Sequence, residues 1–167
     1  MTNQPPIIDI NFFDDAAAFA HKSLCKKAHC GAVIVKDGQV IAGGYNAPPL
    51  NNLENQKCDY VYPIDRKRPK NDCACCVHAE WRAIMNALKA GADLTGSTIY
   101  FTRVDEKGDK IFSAEKYQPH CTVCSRLALD AGISFWTLWH PTQPPIYDVK
   151  EYNDLSYQFH LEQKSPE

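Results

Sequence analysis

The chain predicts a mixed α/β domain, in which one sheet combines antiparallel and parallel strands and carries helices on both faces. Three features support this. The elements follow in the order helix, hairpin, helix, strand, helix, strand. The later strand-helix-strand units favour parallel crossovers, which need helical cover. The 167 residues, 44% of them apolar, are enough for one core without a disulfide framework, since a chain of about 150 residues removes roughly 70% of its unfolded surface from water. Residues 1–167 therefore read as a single domain.

Composition narrows the function classes. Eighteen basic against twenty acidic side chains leave a formal net charge of -2, which gives no global attraction for nucleic acid or anionic membrane. Apolar runs such as Ala32 to Val35 fall far short of the roughly 18 residues of a membrane span. The first ten residues lack the basic and apolar regions of a secretory signal, so a cytoplasmic location is expected. In a reducing compartment the eight cysteines read as metal ligands or buried thiols rather than disulfides.

Asn11 to Leu24 offers a capping side chain, acidic residues in the first turn and an alanine-rich run, with Phe12, Ala16, Phe19, Ala20 and Leu24 at helical spacing; the helix is expected to end near Lys27. Gly31 to Asn46 is two β-rich runs joined at Asp37-Gly38, the dipeptide suited to a two-residue hairpin turn. From Ala47 to Asn71 no period is sustained, and a loop of this length tends to be functional or locally stapled. His78 to Ala90 is a helix stopped by Gly91, and Thr98 to Val104 is a strand. Asp105 to Gly108 turns into a short strand near Ile111-Phe112. Cys121 to Ala131 is a helix closed by Gly132, Ile133 to Trp139 a strand, and Val149 to His160 an amphipathic helix.

The chemistry lies at the starts of two helices. Cys121-Thr-Val-Cys124 puts two thiols on one face of a first turn, where free backbone N–H groups favour thiolate. Alone, the pair is either a redox dithiol or half of a zinc site. His78 completes a three-ligand N, S, S set, which leaves zinc a fourth position for water. Glu80 then decides the chemistry. A structural zinc has no use for a carboxylate two residues from its histidine, whereas hydrolysis needs a proton shuttle. His-x-Glu followed by Cys-x-x-Cys is the zinc deaminase signature.

With Gly31-Ala-Val-Ile-Val-Lys-Asp-Gly, Gly44-Tyr-Asn, Val77-His-Ala-Glu and Cys121-Thr-Val-Cys-Ser-Arg-Leu-Ala-Leu-Asp-Ala-Gly-Ile, the chain resembles the cytidine and deoxycytidylate deaminase superfamily over roughly residues 14 to 139. The resemblance implies a three-layer α/β/α sandwich around a mixed five-stranded sheet. It also implies zinc on His78, Cys121 and Cys124, Glu80 as catalytic proton shuttle, Asn46 and Ala79 as substrate contacts, and a homo-oligomer. The expected activity is hydrolytic deamination of a cytosine nucleotide or nucleoside to the uracil product and ammonia. Two alternatives remain open: deamination of guanine, another amino-base or RNA, and a non-catalytic zinc-stabilised interaction module. The acidic balance weighs against nucleic acid, and Glu80 against the module.

The chain departs from the family in several places. One extra residue, His120, separates Pro119 from Cys121. Residues 105–117 form an insertion, read as a hairpin over the site mouth, and residues 140–167 a C-terminal extension. Ala47-Pro-Pro and Arg82 stand where deoxycytidylate enzymes carry other residues. Cys58, Cys73, Cys75 and Cys76 are either reduced thiols or a second metal site, while Cys25 and Cys30 read as core. His120 is either a substrate contact or a surface histidine. Arg66, Lys67, Arg68 and Lys70 are either a solvated run or a phosphate contact.

Overall fold

The computed structural model describes residues 4–58, 75–112, 118–119 and 121–162. Among them, one five-stranded sheet runs in the order β2-β1-β3-β4-β5. Its strands are β1 (His29–Lys36), β2 (Gln39–Tyr45), β3 (Thr98–Val104), β4 (Phe135–Leu138) and β5 (Ile146–Asp148). β3 and β4 are parallel and the other pairs antiparallel, as a mixed sheet requires. The helices are α1 (Phe12–Ala20), α2 (Ala79–Lys89), α3 (Thr122–Asp130) and α4 (Val149–Glu162).

Helices cover both faces. On one, Phe13 and Ala16 of α1 pack on Val33, Val35 and Tyr100, with Phe12 and Phe13 edge-on to the Tyr100 ring at 5.2 and 5.1 Å. On the other, Ala83, Ile84 and Ala87 of α2, Cys124 and Ala128 of α3 and Tyr152 of α4 pack on Ala32, Ile34, Ile99, Phe101 and Trp136. Strands covered on both sides lose the apolar-polar alternation, which is why β1 reads as a nearly continuous apolar run. Asp37 and Gly38 both take positive φ, 51° and 73°, as the tight hairpin turn demands.

Two glycines set the layer spacing. A Cβ on Gly31 would stand 1.9 Å from the Ala16 carbonyl oxygen, and one on Gly44 would stand 2.4 Å from the Ala79 carbonyl oxygen and 2.5 Å from the Ala83 nitrogen. Gly31 thus admits α1 on one face and Gly44 admits α2 on the other.

Three expectations need correction. α1 ends at Ala20 rather than near Lys27, because the following segment bonds elsewhere: Leu24 N donates to the Asn46 carbonyl and Gln56 Nε2 to the Leu24 carbonyl. The strand after β3 contracts to a bridge of Lys110 with Val104, and Ile111-Phe112 is not a strand. β5 lies in the stretch after Trp139 where no strand was expected. Apart from these, α4 packs on the sheet, where the Tyr152 ring stacks on fully buried Trp136 at 4.1 Å and 9°. No helix among the described residues is long and apolar enough to cross a membrane.

Gly44→Ala should lower stability by about 1–3 kcal/mol through overpacking, read as a fall in melting temperature of at least about 2 °C. An unchanged melting temperature would show that α2 does not rest on β2 as described.

Candidate active site

α2 and α3 bring their N-termini together beyond one end of the sheet. His78 is the N-cap of α2, in extended backbone, and its carbonyl accepts from Arg82 N at 3.0 Å. Cys121 is the N-cap of α3, and its sulfur accepts from Cys124 N at 3.4 Å. His78 Nδ1 lies 3.3 Å from Cys121 Sγ and 3.3 Å from Cys124 Sγ, and the three donor atoms all fall within 4.8 Å of one another. Helix N-termini supply free N–H groups and positive potential, which favour thiolate; of the two cysteines Cys121 takes that form, while its hydrogen bond with Cys121 and burial push the Cys124 thiol up. The hydrogen bond with the Cys124 thiol holds Cys121 well below the usual thiol range, with His78 adding to the effect. The same contact with Cys121 pushes His78 up to about 9.

This donor set fits zinc. A tetrahedral ion with its usual Zn–S and Zn–N bonds needs an N···S edge of roughly 3.5 Å, close to the two 3.3 Å separations. Three protein ligands of this kind leave one position open, the arrangement of a catalytic rather than a structural centre.

Glu80 is the one acid on the buried stripe of α2, where Ala79, Ala83, Ile84 and Ala87 make up the rest. It is 6% exposed, and burial pushes its carboxyl up to about 7 against the opposing pull of His78. An acid whose affinity for a proton is poised near neutrality can both accept and return one.

The loop after β2 is tied to the start of α2. Ala47 and Val77 exchange backbone hydrogen bonds at 3.2 and 2.9 Å. Arg82 donates from Nε to the Tyr45 carbonyl and from Nη2 to the Ala47 carbonyl, and Asn86 Nδ2 donates to the Gly43 carbonyl. Asn46 is buried, and its side chain is largely engaged within the chain. Oδ1 accepts from Cys30 N and Ser23 Oγ, and Nδ2 donates to the Ala28 carbonyl. One amide N–H is left over among the described residues. Ala79 is fully buried, its carbonyl against Gly44.

Arg103 escaped sequence reasoning. It shares strand parity with Ile99 and Phe101, so it faces the α2 and α3 side, and it stands opposite Cys30 across β1 and β3. Its guanidinium bonds the Cys30 thiol, while its Nε is buried with no partner among the described residues. A cation at an inward position of an otherwise apolar strand was the available signal. Burial pushes the Cys30 thiol up to about 12, as befits the expected core residue. Cys58, Cys75 and Cys76 come together, but Cys25 is half-buried rather than core. Cys73, the Arg66, Lys67, Arg68 and Lys70 run, and His120 lie outside the described residues. Residues 105–112 contact α1 and the end of β4: Lys110 pairs with Asp14 and lies over the Trp139 ring, and Phe112 meets His140. Residues 113–117 lie outside the described set.

A buried acid beside an N, S, S donor set, at two helix N-termini on a mixed sheet, defines a metal-assisted hydrolytic site. The family described as the cytidine and deoxycytidylate deaminase zinc-binding region matches residues 7–138, and the chain belongs to that family. It is a hydrolytic deaminase with zinc as its cofactor. Deoxycytidylate deaminase of Mycobacterium phage D29 is 31% identical over 133 residues, which cover 77% of this chain and 91% of that protein. ComE operon protein 2 of Bacillus subtilis (strain 168) is 29% identical over 158 residues, covering 87% and 78%. The fold is shared with dCMP deaminase from the cyanophage S-TIM5, solved with dCMP and dUMP (TM-score 0.57, 20% identity, 93% of this chain and 94% of that one). It is shared as well with cytidine deaminase from Burkholderia pseudomallei (TM-score 0.56, 16% identity, 87% and 96%). The expected family and α/β class are thus borne out.

Cys121→Ala and Cys124→Ala should each lose one zinc per chain relative to wild type, measured by elemental analysis of dialysed protein. An unchanged content would remove these thiols from the metal centre.

Proposed function

We propose that this enzyme deaminates a free cytosine nucleotide of the deoxycytidylate class, consuming water and producing the uracil nucleotide and ammonia. The observation that carries the proposal is Glu80, a carboxyl buried within the first turn of α2 and poised near neutrality beside the His78, Cys121 and Cys124 donors. Zinc held by those three residues supplies the Lewis acidity that brings a water's pKa towards neutrality.

The chain's own groups then do the proton work. Glu80 accepts a proton from the attacking water as oxygen bonds to C4 of the base, and returns it to the ring nitrogen. It next takes the second proton from the new C4 hydroxyl and gives it to the exocyclic amine, so that the C4 carbonyl forms as the C4–N bond breaks with ammonia as the leaving group. Electrons balance without an oxidant, since water is added and ammonia lost. Ala79, through its N–H at the start of α2, and Asn46, through its remaining amide N–H, are the proposed substrate contacts. Support for a nucleotide over a nucleoside comes from the phage D29 deoxycytidylate deaminase, whose likeness runs through 91% of its length.

Ammonia release from dCMP, CMP, deoxycytidine, cytidine, cytosine and guanine should be fastest with dCMP. Preference for an unphosphorylated compound would overturn the nucleotide assignment, and release only from guanine the pyrimidine one. Glu80→Gln should keep its zinc and lose about 10²–10⁴-fold in kcat; retained turnover would remove Glu80 from the chemistry.

A further inference from the structure

Arg103 is a cation without a counterion. It stands one residue from the C-terminal end of β3, level with Cys30, at the end of the sheet where Asn46 follows β2 and Val77 leads into α2. Its neighbour Val104 packs with Ala17 and Ala20 of α1, so strand alternation sends Arg103 to the opposite face, that of Glu80, Cys121 and Cys124. Among the described residues no carboxylate forms an ion pair with it, and the Cys30 thiol is the group that bonds it. Burial keeps that thiol protonated, so the contact leaves the positive charge uncompensated. Nε is buried and has no partner among the described residues. A guanidinium carries five N–H donors, and leaving them unmet inside a protein costs free energy, more so on a charged group. Its charge is felt at His78 and Glu80, and Cys30 donates its backbone N–H to Asn46 Oδ1 at 2.8 Å. Arg103 therefore belongs to the wall that runs from Asn46 to the proton shuttle, and it has donors to spare.

We propose that Arg103 is a substrate-binding residue that donates to the carbonyl oxygen one ring nitrogen beyond the reacting carbon, O2 of cytosine. The inference rests on the cytosine deamination proposed above. In cytosine C4 and C2 flank N3, so a base that presents C4 to Glu80 carries O2 on the adjoining ring edge. Attack of the water oxygen on C4 breaks the C4–N3 π bond, and the electron pair moves to N3, which is conjugated with the 2-carbonyl. Negative charge therefore builds on N3 and O2 together until Glu80 delivers its proton to N3. A fixed cation at O2 stabilises that charge more than it stabilises the neutral ground state, so its effect falls on kcat. Arg103 gives up no proton and stays charged throughout. The same contact sorts substrates. Adenine, which would react at C6, carries only hydrogen on the matching C2 and would leave the guanidinium unpaired. The 5′-phosphate lies at the far end of the nucleotide from C4, a poorer match for a cation in the field of Glu80.

In the full-length enzyme, Arg103→Ala and Arg103→Gln should keep their zinc and lose roughly 10²-fold in kcat on dCMP and on deoxycytidine alike, with KM changed far less. Guanidinium ion added below denaturing concentration should restore part of the rate in Arg103→Ala and none in wild type. Sulfur is a weaker acceptor than oxygen, so the ratio of the dCMP rate to the 2-thio-dCMP rate should be about tenfold larger in wild type than in Arg103→Ala. If Arg103→Ala does not fold, Arg103→Gln carries the same comparison. A ratio that the substitution leaves unchanged would overturn the contact with the carbonyl. A loss seen with dCMP and absent with deoxycytidine would overturn it in favour of the phosphate. Variants that lose their zinc and gain nothing from guanidinium would make Arg103 a structural residue and overturn the proposal as well. No ammonia from wild type with either compound would instead remove the reading of the reaction on which the inference rests.

Discussion

The direct seating of α2 on the edge strand β2 is the contact on which the remaining architecture rests. With no side chain at Gly44, the helix backbone reaches the sheet, and the small residues Ala79, Ala83 and Ala87 keep it there. Arg82 and Asn86 then grip the carbonyls of Gly43, Tyr45 and Ala47, so helix and loop move as one piece. Close packing of this kind transmits position with little slack. It fixes the helix start, and therefore where His78 and Glu80 stand relative to the cysteines of α3.

The electrostatics follow from that placement. Two helix N-termini aimed at one point gather positive potential, which suits thiolates and a divalent cation together. Glu80 pulls the other way, because burial favours its neutral form even though a cationic partner is close. A carboxyl caught between these tendencies changes protonation state at little cost, and proton transfer requires that. Had Glu80 lain one residue later, on the solvent side of α2, burial would have raised nothing.

Much of this was legible in the sequence because it is local. Asp37-Gly38 announces the hairpin through its backbone preference, and the alanines with Ile84 announce α2 through their period. Glu80 stood out as a carboxylate two residues from the histidine, and Cys-x-x-Cys as a pair at a helix start. What was illegible is set by contacts between distant segments. The α1 pattern runs on past Ala20, but Asn46 and Gln56 compete for the backbone of the next turn. β5 is three residues long and exists only through its pairing with β4. Cys25 meets Cys76 because the chain path brings them together, and no spacing encodes that. Arg103 could have been found from strand parity once the register of β3 was known.

The stacking of Tyr152 on Trp136 bears on the order in which the domain is made. Strand β4 and the large indole on it emerge from the ribosome before α4, leaving an apolar face without its cover until the last helix arrives. A chain synthesised from its N-terminus can assemble α1, the hairpin and α2 early, yet the part of that face over β4 stays open until α4 follows. In that interval the nascent chain offers a sticky surface, and a pause in translation between β4 and α4 would prolong the exposure.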